Sequence, residues 1–264
     1  MKNNKENNLK VDGFKAIYFP LFLKKKIQKS IIKTINDKAK SIDKKYLEKK
    51  NIKKISKYIN SMSQKNFLKI FGHVSYRYLE VKIANEINQW VKNNMKKKLE
   101  TNRLSLHYSC VFDRKVNKRL KEKQFCIYFR CVRPKSSKDV GELHRDIDFW
   151  RLIKKREIPK APINFKEIFR IWIPISGCSK ENSLRFFKKS HLDQNIKTKY
   201  YKKNGRVKPI LEKKNIKSYK KSYQPINNFK NEAILFSDRV VHYAPINKNI
   251  NDLRLSVECS VVTN

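Results

Sequence analysis

The stretch Ile234-Leu-Phe-Ser-Asp-Arg-Val-Val-His242-Tyr-Ala-Pro-Ile-Asn247, followed by Asp252-Leu-Arg254-Leu-Ser-Val-Glu258, decides the fold. A short apolar run, Ala233 to Phe236, leads into a turn and a histidine, and a second run, Leu255 to Val262, follows. Brief apolar runs bounded by turn-forming residues read as strands. Working outward, Phe169-Arg-Ile-Trp-Ile-Pro-Ile175 reads as another strand, and so does Phe125 to Val132, ended by Pro134. Leu104, Leu106, Tyr108, Cys110 and Phe112 alternate with mostly polar residues, the two-residue period of a strand.

Before residue 100 the period changes. From about Lys24 to Leu99 the only glycine is Gly72, and apolar residues recur at helical spacing. Ile27, Ile31, Ile32 and Ile35 form one stripe; Phe67, Ile70, Phe71 and Val74 begin a second; Ile83, Ile87, Trp90 and Val91 form a third. These predict two to four helices with a Lys-coated outer face, after a polar, loose start over residues 1–12. The expected organisation is an N-terminal helical region, 1–100, followed by a strand-rich core, 101–264. Within that core the Lys-, Asn- and Tyr-rich stretch at about 193–231 reads as a basic insertion or lid. The fold class that follows is α+β, with a sandwich or jelly roll in the later part.

Composition narrows the function classes. Only 5 of 264 residues are glycine, and neither G-x-G-x-x-G nor G-x-x-x-x-G-K occurs, which disfavours dinucleotide and P-loop folds. The five cysteines contain no C-x-x-C, and their odd count, with no signal peptide, leads us to expect reduced thiols in a cytoplasmic protein. The most apolar early stretch, Ala16 to Leu23, is too short to span a bilayer. The formal charge of +41 has two readings. One is an electrostatic trap for nucleic acid, acidic lipid or another anion. The other is an AT-rich coding bias that fills solvated positions with Lys, Asn and Ile. Either way an anionic small substrate is favoured.

The chemistry-bearing pattern is His144-x-Asp146 in Gly141-Glu-Leu-His-Arg-Asp-Ile-Asp-Phe-Trp150. In a strand, residues two apart share a face, so an imidazole and a carboxylate reach one metal. A second imidazole completes the two-His-one-carboxylate set that binds Fe(II) and leaves positions open. Alone the pair means little. With 23 acids in 264 residues, each of five His has about a 9% chance of an acid two places on, about 0.4 expected hits. His242, after an apolar strand, and Arg254, on the next one, lift the joint reading. An Arg there can grip a carboxylate with two prongs, and 2-oxoglutarate needs such a grip on its 5-carboxylate.

At this point the sequence resembles a family. Ile171-Trp-Ile-Pro-Ile175, then Glu181-Asn-Ser-Leu-Arg-Phe-Phe-Lys-Lys-Ser190-His191, is similar to the phytanoyl-CoA dioxygenase-like family, and His144-x-Asp146 and His242…Arg254 match its order and spacing. The resemblance covers about Phe125 to Val262. It implies a double-stranded β-helix, a cupin-like jelly roll, with the N-terminal helices packed on it. It implies Fe(II), 2-oxoglutarate and O2, with His144, Asp146 and His242 as ligands and Arg254 at the 5-carboxylate. Trp172 and Tyr128 would line the cosubstrate pocket, and Ala244 would stand where some members place a hydroxyl. Ser183 departs from the family's turn glycine, and Lys188-Lys189-Ser190 from its Pro-Gly-Ser. Related halogenases carry Gly or Ala at the position of Asp146, so the carboxylate implies oxygen chemistry.

At the substrate end, Arg130, Arg133, Asp148 and Trp150 are the candidates. The Arg-bearing strand and the aromatic pair after His144-x-Asp146 resemble bacterial family members linked to sugar and aminoglycoside modification, which implies a small polar substrate, saccharide or anionic. Two alternatives remain: a basic nucleic-acid-binding protein with an incidental His-x-Asp, and a non-catalytic jelly-roll relative.

Overall fold

The computed structural model describes residues 8–72, 77–101, 104–106, 125, 127–149, 167–203, 206–212, 221–248 and 252–263. After a helical turn, α1 (Leu9–Asp12), and a strand, β1 (Phe14–Tyr18), four helices follow: α2 (Leu21–Ile42), α3 (Ile52–Asn60), α4 (Gln64–Phe71) and α5 (Val81–Met95). The helical stripes pack as their spacing requires. Ile27, Ile31 and Ile35 of α2, Ile55 and Ile59 of α3, and Ile87 and Val91 of α5 are all fully buried. Each such side chain removed from water contributes about 1.5–3 kcal/mol. The Asn51 side chain accepts from the Lys54 backbone N–H to cap α3, and Ser63 does the same for α4 from Asn66. Val74 of the second stripe lies outside the described residues.

The helices lie on one face of a six-stranded antiparallel sheet. Its strands run β1, β8 (Glu232–Ser237), β4 (Glu167–Ser176), β10 (Arg254–Thr263). Along its far side β10 pairs with β3 (Tyr128–Val132) and then with β2 (Leu104–Leu106). Alternation divides the side chains between two faces. Ile17, Ala233, Leu235, Ile171, Ile173, Phe129, Leu255, Val257, Cys259 and Val261 join the helices in one apolar cluster. Phe14, Ile234, Phe236 and Trp172 point the other way, into a second cluster with Leu184, Phe186, Ile226 and Val240. That second face is the inside of the jelly roll. It is closed by a minor sheet of β5 (Arg185–Phe186) and β9 (His242–Tyr243), extended by bridges from Phe186 to Tyr223 and from His242 to His144.

Pro174 fits within β4 because β8 pairs only with residues 169–172, so the missing N–H falls where β4 has one neighbour, beside a bulge opposite Leu255/Ser256. Gly177 follows with φ +63°, and a Cβ there would stand 2.0 Å from the Leu253 carbonyl oxygen. The chain thus turns tightly against the segment that leads into Arg254.

Two differences from the sequence reading are physical. β1, from the stretch expected to be part of a helical region, is an edge strand of the main sheet, paired with β8 from Phe14↔Phe236 to Tyr18↔Glu232. The basic stretch after residue 193 contains a β-hairpin, β6 (Thr198–Lys203) and β7 (Arg206–Leu211). Its flanking Ile196 and Leu211 pack with Val241, Leu143 and Phe187. The continuation of the early strand pattern at Tyr108, Cys110 and Phe112 lies outside the described residues.

Candidate metal centre

His144 and His242 face each other across the minor sheet, exchanging backbone hydrogen bonds of 3.1 and 3.0 Å. Asp146 stands two residues on, but not on a strand as the spacing argument supposed. It opens a helical turn, 146–149, that is docked by the Ile147 N–H donating to the Asp238 carbonyl at 2.8 Å. The turn, rather than strand alternation, swings the carboxylate back toward the imidazoles. One nitrogen from each imidazole and one carboxylate oxygen lie within 4.8 Å of one another. Among the described residues no other group of three His, Cys, Asp or Glu does so.

The imidazoles are set to offer the same atom. His144 Nδ1 is bonded to the Glu142 carbonyl, and His242 Nδ1 to the Val240 carbonyl at 3.0 Å. Each Nδ1 is thereby the protonated nitrogen, and each Nε2 keeps its lone pair toward Asp146. His144 Nε2 is 3.6 Å from Asp146 Oδ1, and His242 Nε2 is 4.0 Å from Oδ2. Burial, with His144 beside it, pushes the His242 pKa down to about 4, so this ring is neutral at neutral pH. Phe186 and Phe236 flank the His242 ring, at 5.8 and 5.0 Å between centroids, and Phe149 meets His144 edge-on at 5.4 Å.

Asp146 is buried, which alone would favour its neutral form. The Arg170 guanidinium and the two histidines outweigh that and hold the carboxyl far below the usual carboxylate range. Arg170 Nε donates to Asp146 Oδ2 at 2.9 Å, and its Nη1 donates to Ser260 Oγ. The sequence reading passed over Arg170. The available signal was its parity: it stands two residues before Trp172 in an otherwise apolar strand, on the inner face. Asp238 is a second buried acid nearby. Burial, with Asp146 next, pushes its pKa up to about 7.

The other predicted residues separate clearly. Arg254 opens β10 on the inner face and is buried. Its Nη1 donates to the backbone carbonyls of Asn182 and Pro245. Among the described residues no carboxylate lies within ion-pair distance of it. Burial, and less so Arg130, works against its charge. Trp172 is buried in the inner apolar cluster, and Ala244 packs against that cluster. Tyr128 and Arg130 share the inner face. The Tyr128 hydroxyl donates to Glu258 at 3.1 Å, and Arg130 pairs with the same carboxylate at 2.8 Å. The Arg130 side chain keeps 34% of its surface exposed.

Two expectations at the substrate end are corrected. Asp148 is fully buried and saturated: both oxygens accept from Arg145 at 3.0 Å, and Thr198 Oγ1 donates to it at 2.7 Å. It ties the hairpin to the turn that carries Asp146 and has no face for a substrate. Arg133 lies on the helix side of the sheet, three residues from Arg130 and therefore of opposite parity. Its guanidinium lies 3.8 Å from the Phe67 ring centroid and pairs with Asp139 at 2.9 Å. Trp150 lies outside the described residues.

The family model for phytanoyl-CoA dioxygenase (PhyH) matches residues 33–254, most of the chain. The chain belongs to this family, and with it to the 2-oxoglutarate-dependent non-haem iron oxygenases. No curated protein matches it in sequence. Among solved structures it is similar to EctD from S. alaskensis with bound Fe, at 9% identity and a TM-score of 0.52, over 100% of this chain and 77% of that one. It is also similar to the apo non-heme monooxygenase ThoJ, at 10% identity and a TM-score of 0.49, over 97% of this chain and 76% of that one. EvdMO1 matches at 11% identity and a TM-score of 0.48 over 97% of this chain, which spans about half, 48%, of that protein. At these identities the EctD likeness bears on the fold, a cupin-like jelly roll. Among the described residues no helix is long and apolar enough to cross a membrane.

Proposed function

We propose that His144, Asp146 and His242 hold one Fe(II), that Arg254 holds the 5-carboxylate of 2-oxoglutarate, and that the chain oxidises a C–H bond of a small polar substrate. The observation that carries this is the convergence of two Nε2 atoms and one carboxylate within 4.8 Å, with both Nδ1 atoms tied to backbone carbonyls. Two imidazoles and one carboxylate on one face are the donor set of iron oxygenases that keep positions open.

When bound, Fe(II) with 2-oxoglutarate and O2 supplies the oxidation: 2-oxoglutarate becomes succinate and carbon dioxide, one oxygen atom joining it and the other the substrate. The chain's residues do the rest. The carbonyls of Glu142 and Val240 fix the tautomers. Phe149, Phe186 and Phe236 shield the imidazoles from water. Arg254 offers a buried positive charge that lacks a carboxylate among the described residues, and an unpaired buried ion costs on the order of several kcal/mol until an anion pairs with it. Trp172 and Ala244 belong to the apolar cluster inside the jelly roll. Arg130, on the same inner face and partly exposed, is the cation within reach of a bound molecule, so an anionic or saccharide substrate is the class we favour. The nucleic-acid alternative rests on charge alone.

The test is anaerobic. Fe(II) and 2-oxoglutarate added together are expected to give a weak visible charge-transfer band that disappears in His242→Ala. No band in the native chain sinks the iron reading; a band that survives in His242→Ala sinks the ligand assignment.

A further inference from the structure

We propose that Arg170 is a positioning residue that restricts Asp146 to a metal through one oxygen, and so preserves the coordination positions that 2-oxoglutarate and O2 require. The inference rests on the iron reading above and assigns a role to a residue outside the ligand set.

Asp146 Oδ2 is occupied: Arg170 Nε donates to it at 2.9 Å. Oδ1 faces His144 Nε2 at 3.6 Å, whereas Oδ2, the oxygen nearer His242 Nε2 at 4.0 Å, is the one the guanidinium holds. Arg170 is itself held. Its backbone lies in β4, paired with Ser260 of β10, and Nη1 donates to the Ser260 hydroxyl. It is 5% exposed, with Asp146 at 8%, so neither side chain has solvent to swing into. A carboxylate that chelated through both oxygens would occupy two positions of a six-coordinate ion. With two imidazoles that leaves two positions, whereas 2-oxoglutarate takes two and O2 a third. Hydrogen bonds to a ligand carboxylate set its orientation in just this way. A neutral donor could orient Asp146; a cation also compensates the buried carboxylate before any metal arrives.

Arg170→Met removes both donor and charge. Arg170→Gln keeps a neutral donor. Ser260→Ala loosens the anchor only. Each protein is loaded anaerobically with Fe(II), its iron is counted per chain, and 2-oxoglutarate is titrated against the visible band, with a thermal melt alongside. The expected result is one iron per chain throughout. The 2-oxoglutarate Kd rises at least tenfold in Arg170→Met with a shifted band, less in Arg170→Gln, and about twofold or more in Ser260→Ala with an unchanged melt. Native affinity and band position in Arg170→Met overturn the proposal. If Arg170→Met does not fold, native affinity in both Arg170→Gln and Ser260→Ala overturns it, and a graded loss supports it. Absence of the band in the native chain overturns the iron reading and this inference with it, whereas a native band with unaffected variants overturns this inference alone.

Discussion

The two faces of β10 differ sharply in what they carry. Leu255, Val257, Cys259 and Val261 point into the helix-covered cluster and are almost wholly buried among apolar neighbours. Arg254, Ser256, Glu258 and Ser260 alternate with them and point inward. Glu258 pairs with Arg130, and Ser260 accepts from Arg170. One strand therefore carries the stabilising core on one side and the polar machinery on the other. Helix packing on the outer face holds the inner charges in place, at a desolvation cost that an apolar barrel would not carry.

Substitutions on the two faces are expected to separate stability from chemistry. The largest effect is at the ligands: His144→Ala reduces substrate-stimulated succinate release to background and shifts the metal-free melt by little. On the outer face Leu235→Ala costs about 2–5 kcal/mol, some 5–15 °C in melting temperature, and leaves 2-oxoglutarate affinity intact in the folded fraction. Arg254→Met does the reverse. It weakens 2-oxoglutarate binding by about a hundredfold, as loss of a charged hydrogen-bonded contact does, while the metal-free protein melts at the same temperature or higher. A loss of stability in Arg254→Met without loss of affinity would break the contrast.

The inner acids predict a pH signature of the metal-free protein. Asp238 has its pKa raised from 3.8 to about 7, so its contribution is present at low pH and lost as pH rises through 7. His242 has its pKa lowered from 6.5 to about 4, so its contribution is present above 6.5 and lost as pH falls toward 4. The two slopes oppose. Asp238→Asn removes the first, and its melting temperature relative to the native chain is expected to climb by several degrees from pH 4 to pH 8. Parallel curves would contradict the assignment. The smallest effect is at Lys189, which occupies φ 63° where the family resemblance places a glycine. Lys189→Gly is expected to stabilise by about 1 kcal/mol, the left-handed penalty of a residue with a Cβ, with unchanged kinetics.

Much of this was legible from period and order. The helical stripes of α2 to α5 and the strands β4, β8 and β10 follow directly from apolar spacing, and the order His144, Asp146, His242, Arg254 pointed to the cluster. Parity could also have separated Arg130 from Arg133 and joined Arg170 to Trp172. Other features depend on distant partners. β1 has no strand signature of its own because what makes it a strand is its pairing with β8, more than 200 positions away. Asp148 is neutralised by Arg145 but locked by Thr198, 50 residues on. The turn at 146–149 owes its docking to Asp238, which no local pattern announces.

The most direct test is crystallographic. Crystals exposed to Fe(II) without oxygen and measured at the iron absorption edge are expected to show one anomalous peak per chain, within bonding distance of His144 Nε2, His242 Nε2 and one oxygen of Asp146. A peak bonded elsewhere, or none there at saturating Fe(II), would contradict the account.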